Sequence, residues 1–406
     1  MIKLKSLTKQ SPSKKSVSKQ SASKQSASKQ SASKQSSPNN KPLNLSSGRS
    51  LWPEATELIS LEFTLQPLFD CELYPQYTIG LHAWLLQQIQ TFDAELSAYM
   101  HDSGVEKPFS ITGLNGQFVS HSQSLTLQAD KRYRWRVNGL SKSVVQGLAK
   151  WLRQLPKEID LKNAPLAIES VQLAQPATTY GKLLWQGKNS KGSVELSFVS
   201  PTSFKRKGHH LPLPWPTNVF HSYLRRWNNF AKKQVDPTDF LDWIDRYVVI
   251  TRHQLESLKV AAGKQGSVTG FVGAIAYTLD RQAAERPDFQ ALFYALTQLA
   301  PYCGTGHKTT FGLGETQLGW RGAAPALPMK QQVLAERIEE LTALFLEQRK
   351  RKGGDRAIQT AEKWATILAR REQGDGLDAI ARDMDIPYET AKTYSKLARR
   401  TLRQDD

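Results

Sequence analysis

The strongest signal for chemistry in the chain is the run Gly304–Gly314, GTGHKTTFGLG. A P-loop places its lysine directly after the second glycine, but His307 separates Gly306 from Lys308, so that reading fails. A dinucleotide fingerprint needs a third glycine where Thr309 stands, and it fails as well. Four glycines remain, Gly304, Gly306, Gly312 and Gly314, bracketing His307, Lys308, Thr309 and Thr310. Glycine permits positive φ and removes the Cβ, so backbone N–H groups could close on phosphates while Lys308 adds a point charge. The plain alternative is a turn whose glycines solve a backbone problem.

Three further groups could meet a polyanion. From Lys131 to Arg136 residue types alternate, so on a strand Arg132, Arg134 and Arg136 share one face and Tyr133 and Trp135 the other. Phosphates could meet the first face while the aromatics pack; a solvated strand face is the alternative. Lys205, Arg206 and Lys207, with His209 and His210, read as a basic loop, and Arg225 and Arg226 beside Trp227 as a basic helix segment. Either could track a nucleic-acid backbone or stack bases. His101 followed by Asp102 invites a metal-phosphohydrolase reading, but the further His and Asp ligands of that chemistry are missing, so no metal site is expected. By itself His101 reads as a solvated histidine at a helix end.

The charge balance agrees with a polyanion partner. The 406 residues carry a formal +18; residues 1–49 hold eleven Lys/Arg and no Asp or Glu, whereas residues 331–406 net only +1. A basic body with a basic arm points to nucleic acid before membrane. No run approaches ~18 consecutive apolar residues, so no membrane-spanning helix is expected. Two cysteines, Cys71 and Cys303, exclude a disulfide scaffold and a Cys-rich zinc site, and they fit a reducing cytosol.

The elements that must carry these groups fall into four parts: 1–49, 50–185, 186–324 and 331–406. The first repeats SVSKQ and SASKQ pentads from Ser16 to Gln35 and lacks apolar periodicity. It reads as a disordered basic arm adding non-specific RNA affinity, or as a solvated tail with no task. In the second part Leu58, Ile59, Leu61, Phe63 and Leu65 form a strand pattern, and Leu81, Leu85 and Ile89 line one face of a helix over Thr78–Thr91. A second helix covers Asp93–His101. Strands at Phe109–Leu114, Leu125–Gln128 and Tyr133–Val137, a helix at Ser141–Leu155 and a strand at Leu166–Leu173 follow. That order is the ferredoxin-like, or RRM-like, unit.

A looser copy comes next, with a strand at Val194–Ser200, helices at Asn218–Lys233 and Pro237–Tyr247, and a strand at Gln265–Leu279. A helix at Pro287–Leu299 and a strand at Glu315–Trp320 close it. The predicted class is therefore α+β, with two ferredoxin-like domains in tandem. Pro325 and Pro328 mark a linker to an all-helical end. There Ile380–Leu402 reads as a helix-turn-helix, with its turn at Asp385–Pro387 and its second helix at Tyr388–Arg400, and it resembles the end of a sigma-factor region-four domain. Such an end could read DNA, grip RNA or dock a protein. Lys392, Lys396, Arg399 and Arg400 could form a local basic face, but the net +1 favours docking or an accessory RNA role.

With the elements in place, the glycine-rich run before a terminal strand resembles the C-terminal signature of the RAMP superfamily. Within it the chain looks like the CRISPR-associated endoribonucleases that cut repeat RNA into guide RNAs. Other stretches agree in order: Tyr99–Asp102 with Lys107–Phe109, Ser200–Phe204 before Leu211–Pro214 and Val219–Trp227, and Gly270–Gly273 before Tyr277. The resemblance spans about residues 56–320 and leaves out the arm and the helical end.

What the resemblance implies is a reaction without metal or other cofactor. The ribose 2′-OH attacks the adjacent phosphate, leaving a 2′,3′-cyclic phosphate and a 5′-OH. His101 takes the position of the catalytic histidine and Lys107 that of a supporting lysine. A tyrosine that some members carry fifteen residues before this histidine is Leu86 here. His82, one helical turn earlier, could supply the missing catalytic group, or it could be a histidine at the edge of an apolar face. The implied partner is CRISPR repeat RNA in a prokaryotic cytoplasm, with other CRISPR effector subunits as a further class. Two rival readings are a catalytically silent RNA-binding RAMP subunit, against which the retained His101 and Lys107 argue, and a DNA-binding regulator resting on the C-terminal helices alone.

Overall fold

In the computed structural model the described residues are 41–46, 50–74, 76–102, 106–121, 124–206, 209–261, 266–321, 329–348 and 355–402. The pentad repeats, Lys207 and the Pro325–Pro328 linker lie outside them. Everything described belongs to one compact unit that begins at Pro38.

Alternation drives the first sheet. In β1 (Leu58–Pro67), Leu61, Phe63 and Leu65 are wholly buried. The chain continues through β2 (Cys71–Leu73), α1 (Tyr77–Phe92), α2 (Ala94–Asp102), β3 (Phe109–Ile111), β4 (Val119–His121) and β5 (Ser124–Leu127). It then runs through β6 (Tyr133–Gly139), α3 (Lys142–Trp151), β7 (Glu158–Leu161) and β8 (Ala164–Thr178). The sheet order β3-β6-β1-β8-β7 is antiparallel throughout. Its first four strands have the ferredoxin-like arrangement, with α1 and α3 as the crossovers. Under it Phe63, Trp84, Trp135 and Trp151 pack ring against ring at 5.3–6.1 Å between centroids. Each such buried aromatic contributes roughly 1.5–3 kcal/mol through burial alone.

The second unit repeats the plan. It comprises α4 (Tyr180–Lys188), β9 (Val194–Thr202), β10 (Phe204–Arg206), β11 (His209–Leu211), α5 (Pro216–Phe230) and α6 (Pro237–Tyr247). Then come β12 (Val248–Ala261), β13 (Ser267–Leu279), α7 (Pro287–Cys303) and β14 (Thr316–Leu318). The order β12-β13-β9-β14 has the same topology as the first sheet. Three of its strands lie where the sequence pattern predicts them, and β12 is an addition. That strand is an edge, exposed on both faces across Arg252–Gln254, so its apolar alternation is interrupted in the middle. The basic stretch read as a loop at residues 205–210 is a short hairpin, β10 against β11. The two units share a junction: Leu58 and Leu140 of the first lie in the core of the second, and the Tyr180 hydroxyl donates to the Leu140 carbonyl at 2.7 Å.

The helical end consists of α8 (Met329–Glu347), α9 (Asp355–Glu372), α10 (Leu377–Met384) and α11 (Tyr388–Leu402). Leu334, Ile338, Leu341 and Phe345 of α8 pack on Ala361, Ala365, Leu368 and Ala369 of α9. The bundle is seated on the β12–β13 hairpin, where Lys259 pairs with Glu339 and the Gly266 amide donates to the Thr366 hydroxyl at 2.8 Å. Lys162, in the β7–β8 turn of the first unit, lies 3.8 Å from Asp375. Among the described residues no helix is long and apolar enough to cross a membrane.

Candidate functional site

His101 sits in the last turn of α2, exposed to solvent. The Lys107 ammonium donates to the His101 carbonyl oxygen. This is favourable electrostatics, because a helix C-terminus carries unpaired carbonyls and partial negative charge. Lys107 thereby clamps the helix end from which His101 projects. The residue before it, Glu106, is only 8% exposed and aims its carboxylate at two arginines of α5, Arg225 at 3.3 Å and Arg226 at 3.6 Å. Sequence reading had no reason to single out Glu106, since its partners lie about 120 residues away.

Arg226 continues the connection into the glycine-rich loop. It donates to the Gly306 carbonyl at 2.9 Å and the Thr309 hydroxyl at 3.4 Å, and it reaches Ser222 at both carbonyl and hydroxyl. His82 ties the loop to α1: its Nδ1 donates to the Thr310 carbonyl at 2.8 Å, and its ring lies against Phe109 and Phe311. In the structure His82 is thus a strut between the two units. Thr112 and Gly312 form a β-bridge across the same junction. The loop and the Lys107 segment are joined by named contacts although they belong to different sheets.

The loop geometry changes the expectation for its glycines. A Cβ on Gly306 would lie 2.2 Å from the Ser203 carbonyl oxygen, and one on Gly314 2.0 Å from that of Thr305; both residues hold positive φ. The amides of Gly304, Thr305, Gly306, His307 and Gly314 donate inside the protein, to Ala300, Gly314, Ser222, Ser203 and Pro201 respectively. Those N–H groups are spent on the fold, so the turn reading describes them better than the phosphate cradle. Gly306→Ala and Gly314→Ala should each lower the unfolding free energy by about 2–4 kcal/mol through positive-φ strain and overpacking. Gly319→Ala is the control, because its φ is also positive but no atom lies within 4 Å of the added carbon. Equal melting temperatures for all three variants would refute the close-approach account.

Two of the arginines expected on RNA are engaged by groups within the protein. Arg226 is 4% exposed and fully engaged as above. Arg136 is held by Glu62 at 2.7 Å and Glu315 at 3.3 Å. The alternation along β6 is observed, with Tyr133 and Trp135 buried and Arg132 and Arg134 exposed. Arg132 pairs with Glu169 at 2.5 Å. Lys205, His209 and the half-exposed Arg225 also face solvent. His307 donates from Nδ1 to the Ser203 carbonyl and stacks on His210 at 5.3 Å. Burial pushes His307 down to about 4, and it lowers His210 too, with Lys308 and Lys205 adding to the effect. Burial also pushes Lys308 down to about 8, helped by Lys205 and opposed by Glu362 of α9. Near neutral pH both imidazoles are therefore uncharged, and Lys308 supplies the loop's positive charge. Another histidine unmarked in the sequence, His221, lies one turn before Arg225 on α5. Its pKa is lowered first by burial and then by Arg225, while Glu106 raises it.

Two ferredoxin-like sheets in tandem, joined through a glycine-rich loop ahead of the last strand, define a RAMP-type fold. The profile of the CRISPR Cas6 N-terminal domain matches residues 59–187, and that of the CRISPR-associated endoribonuclease Cas6 matches residues 196–316. The chain belongs to the Cas6 family of CRISPR-associated endoribonucleases, which process CRISPR repeat RNA. A CRISPR-associated endoribonuclease Cas6 of Streptococcus thermophilus is 22% identical over 242 residues, covering 59% of this chain and 90% of that one. Among solved structures, a Cas6 product complex is 25% identical at a TM-score of 0.52, covering 64% of this chain and 99% of the other. A Cas6 substrate-mimic complex is 26% identical at 0.51, covering 65% and 100%. Neither family match reaches α8–α11.

Proposed function

We propose that this chain cuts CRISPR precursor RNA within its repeats by a metal-independent transesterification, releasing guide RNAs for antiviral defence. The 2′-oxygen forms a bond to the adjacent phosphorus as the P–O5′ bond breaks. One proton leaves the 2′-OH and one arrives at the 5′ oxygen, giving a 2′,3′-cyclic phosphate and a 5′-OH. His101 exchanges a proton in this step, a task suited to an imidazole because it can both accept and donate a proton. Lys107 holds the helix end that carries His101 and adds positive charge beside the developing phosphorane.

The observation that carries this reading is the clamp of Lys107 on His101, tied through Glu106 to Arg226 and the loop at Gly306. It fixes the helix end from which the exposed His101 projects and ties that end, through Glu106, to the second unit. The exposed Arg132, Arg134, Lys205 and Arg225 would take up phosphates along the RNA path. The relatives captured as product and substrate-mimic complexes support an RNA of this kind as the partner. A repeat RNA with a single 2′-deoxy nucleotide at the cut position should bind as the all-ribose RNA does and remain uncut. Cutting of that substrate would refute 2′-OH attack.

A further inference from the structure

The helical end carries a surface that the nuclease reading does not use. α10 and α11 meet at a tight turn in which Asp385 takes φ 54 and the Ile386 amide donates back to the Ala381 carbonyl at 3.0 Å. Ile367, Ile380 and Met384 form the core under that turn, with Ile386 and Tyr394 against them. α11 buries only small side chains, Ala391, Ser395 and Ala398, so it lies close on α9 and α10 and leaves its opposite face open. A buried cation locks the arrangement: Arg370, 2% exposed, donates to Asp375 at 2.7 Å and Asp383 at 2.8 Å, pinning α9 to the α9–α10 connection and to α10.

The open face holds Lys392, Thr393, Lys396, Leu397, Arg399 and Arg400, all exposed. The single acidic residue on α11 is Glu389, at 3.5 Å from Lys392. The net charge of +1 for residues 331–406 therefore conceals a segregated distribution, because much of the acid sits on α8 and in the buried Arg370 network. This argues against the preference for docking or an accessory RNA role drawn from the net charge.

We propose that α11 enters the major groove of duplex DNA, making the helical end a second nucleic-acid site beside the RNA-cutting body. The second helix of a helix-turn-helix reads bases from its first turns and phosphates from its flanks. Here Lys392, Thr393 and Lys396 occupy the reading positions, and Arg399 and Arg400 the phosphate positions. Lysine can pair with guanine O6 and N7, and a threonine methyl can pack on thymine. Duplex RNA does not fit this face, because the A-form major groove is too deep and narrow to admit a helix. A protein partner fits poorly, because cations surround Leu397, and Tyr388, the other exposed apolar side chain described on α11, stands apart from it at the helix start.

The test selects binders for the full-length protein from a random-sequence duplex DNA pool, with the same sequences as hairpin RNA in parallel. The expected result is enrichment of a DNA sequence class whose affinity falls at least ~10-fold in the Lys396→Glu/Arg400→Glu double variant. Repeat-RNA cleavage and melting temperature should stay at wild-type values. The basic arm is present in both proteins, so its sequence-blind affinity cancels in the comparison. Three results would each overturn the proposal: no duplex enriched over input, equal binding of the selected duplex by the double variant, or loss of repeat-RNA binding in that variant.

Discussion

His101→Ala should cut repeat RNA about 10²–10⁴-fold more slowly in single turnover, with its Kd for the RNA nearly unchanged. The size follows from removing a proton-transfer group whose work is done only in the transition state. The geometry makes the variant interpretable. Lys107 holds the His101 carbonyl, a backbone group that alanine keeps, so the clamp on α2 survives the substitution. The imidazole projects from an exposed helix end, so its loss opens no core cavity. A rate close to wild type would remove His101 from the reaction, and a rate loss matched by lost binding would make it an RNA contact.

Glu106→Ala should destabilise the protein by about 3–5 kcal/mol, since it leaves the Arg226 guanidinium buried beside the loop without its carboxylate. Arg225→Ala removes the other partner of the same carboxylate, but that arginine is 44% exposed and the pair is solvent-screened. Its expected cost is only ~0.2–1 kcal/mol. Denaturant unfolding of both variants separates the two cases. Glu106→Ala should also slow cleavage more than Arg225→Ala where both are folded, because Glu106 anchors the segment bearing Lys107. Equal stabilities for the two variants would show that the buried pair does not join the units.

Much of this architecture is legible from periodicity. The alternation in Leu58–Leu65 and Tyr133–Val137 and the apolar face of Leu81, Leu85 and Ile89 mark the centre of the first unit, whereas its short strands β2, β4 and β7 carry too few residues for a pattern. The second unit was harder to read for two physical reasons. β12 is an edge strand whose buried apolar residues, Val248 and Val260, lie near its two ends, while its middle is polar and exposed. α4 has two glycines in nine residues, Gly181 and Gly187, which depress its helix propensity. For the site, residue type signalled cations but not their direction. Adjacent helical residues point about 100° apart, so Arg225 faces out while Arg226 faces in. Arg136 has the spacing of Arg132 and Arg134, yet it meets Glu315 from the second unit, a contact that only the tertiary fold creates. His101 and Lys107 stood out through resemblance alone, and Glu106 gave no signal. The glycines were visible as a set, but whether they approach a phosphate or a carbonyl depends on Ser203 and Thr305 being where they are.

The most direct test of the central claim is the end chemistry of wild-type cleavage in EDTA. The full-length protein is incubated with stem-loop repeat RNA under single-turnover conditions, and both product ends are mapped by mass. The account predicts one cut at an unchanged rate, an upstream fragment ending in a 2′,3′-cyclic phosphate and a downstream fragment starting with a 5′-OH. Loss of cutting on chelation, or fragments ending in 3′-OH and starting with 5′-phosphate, would contradict it.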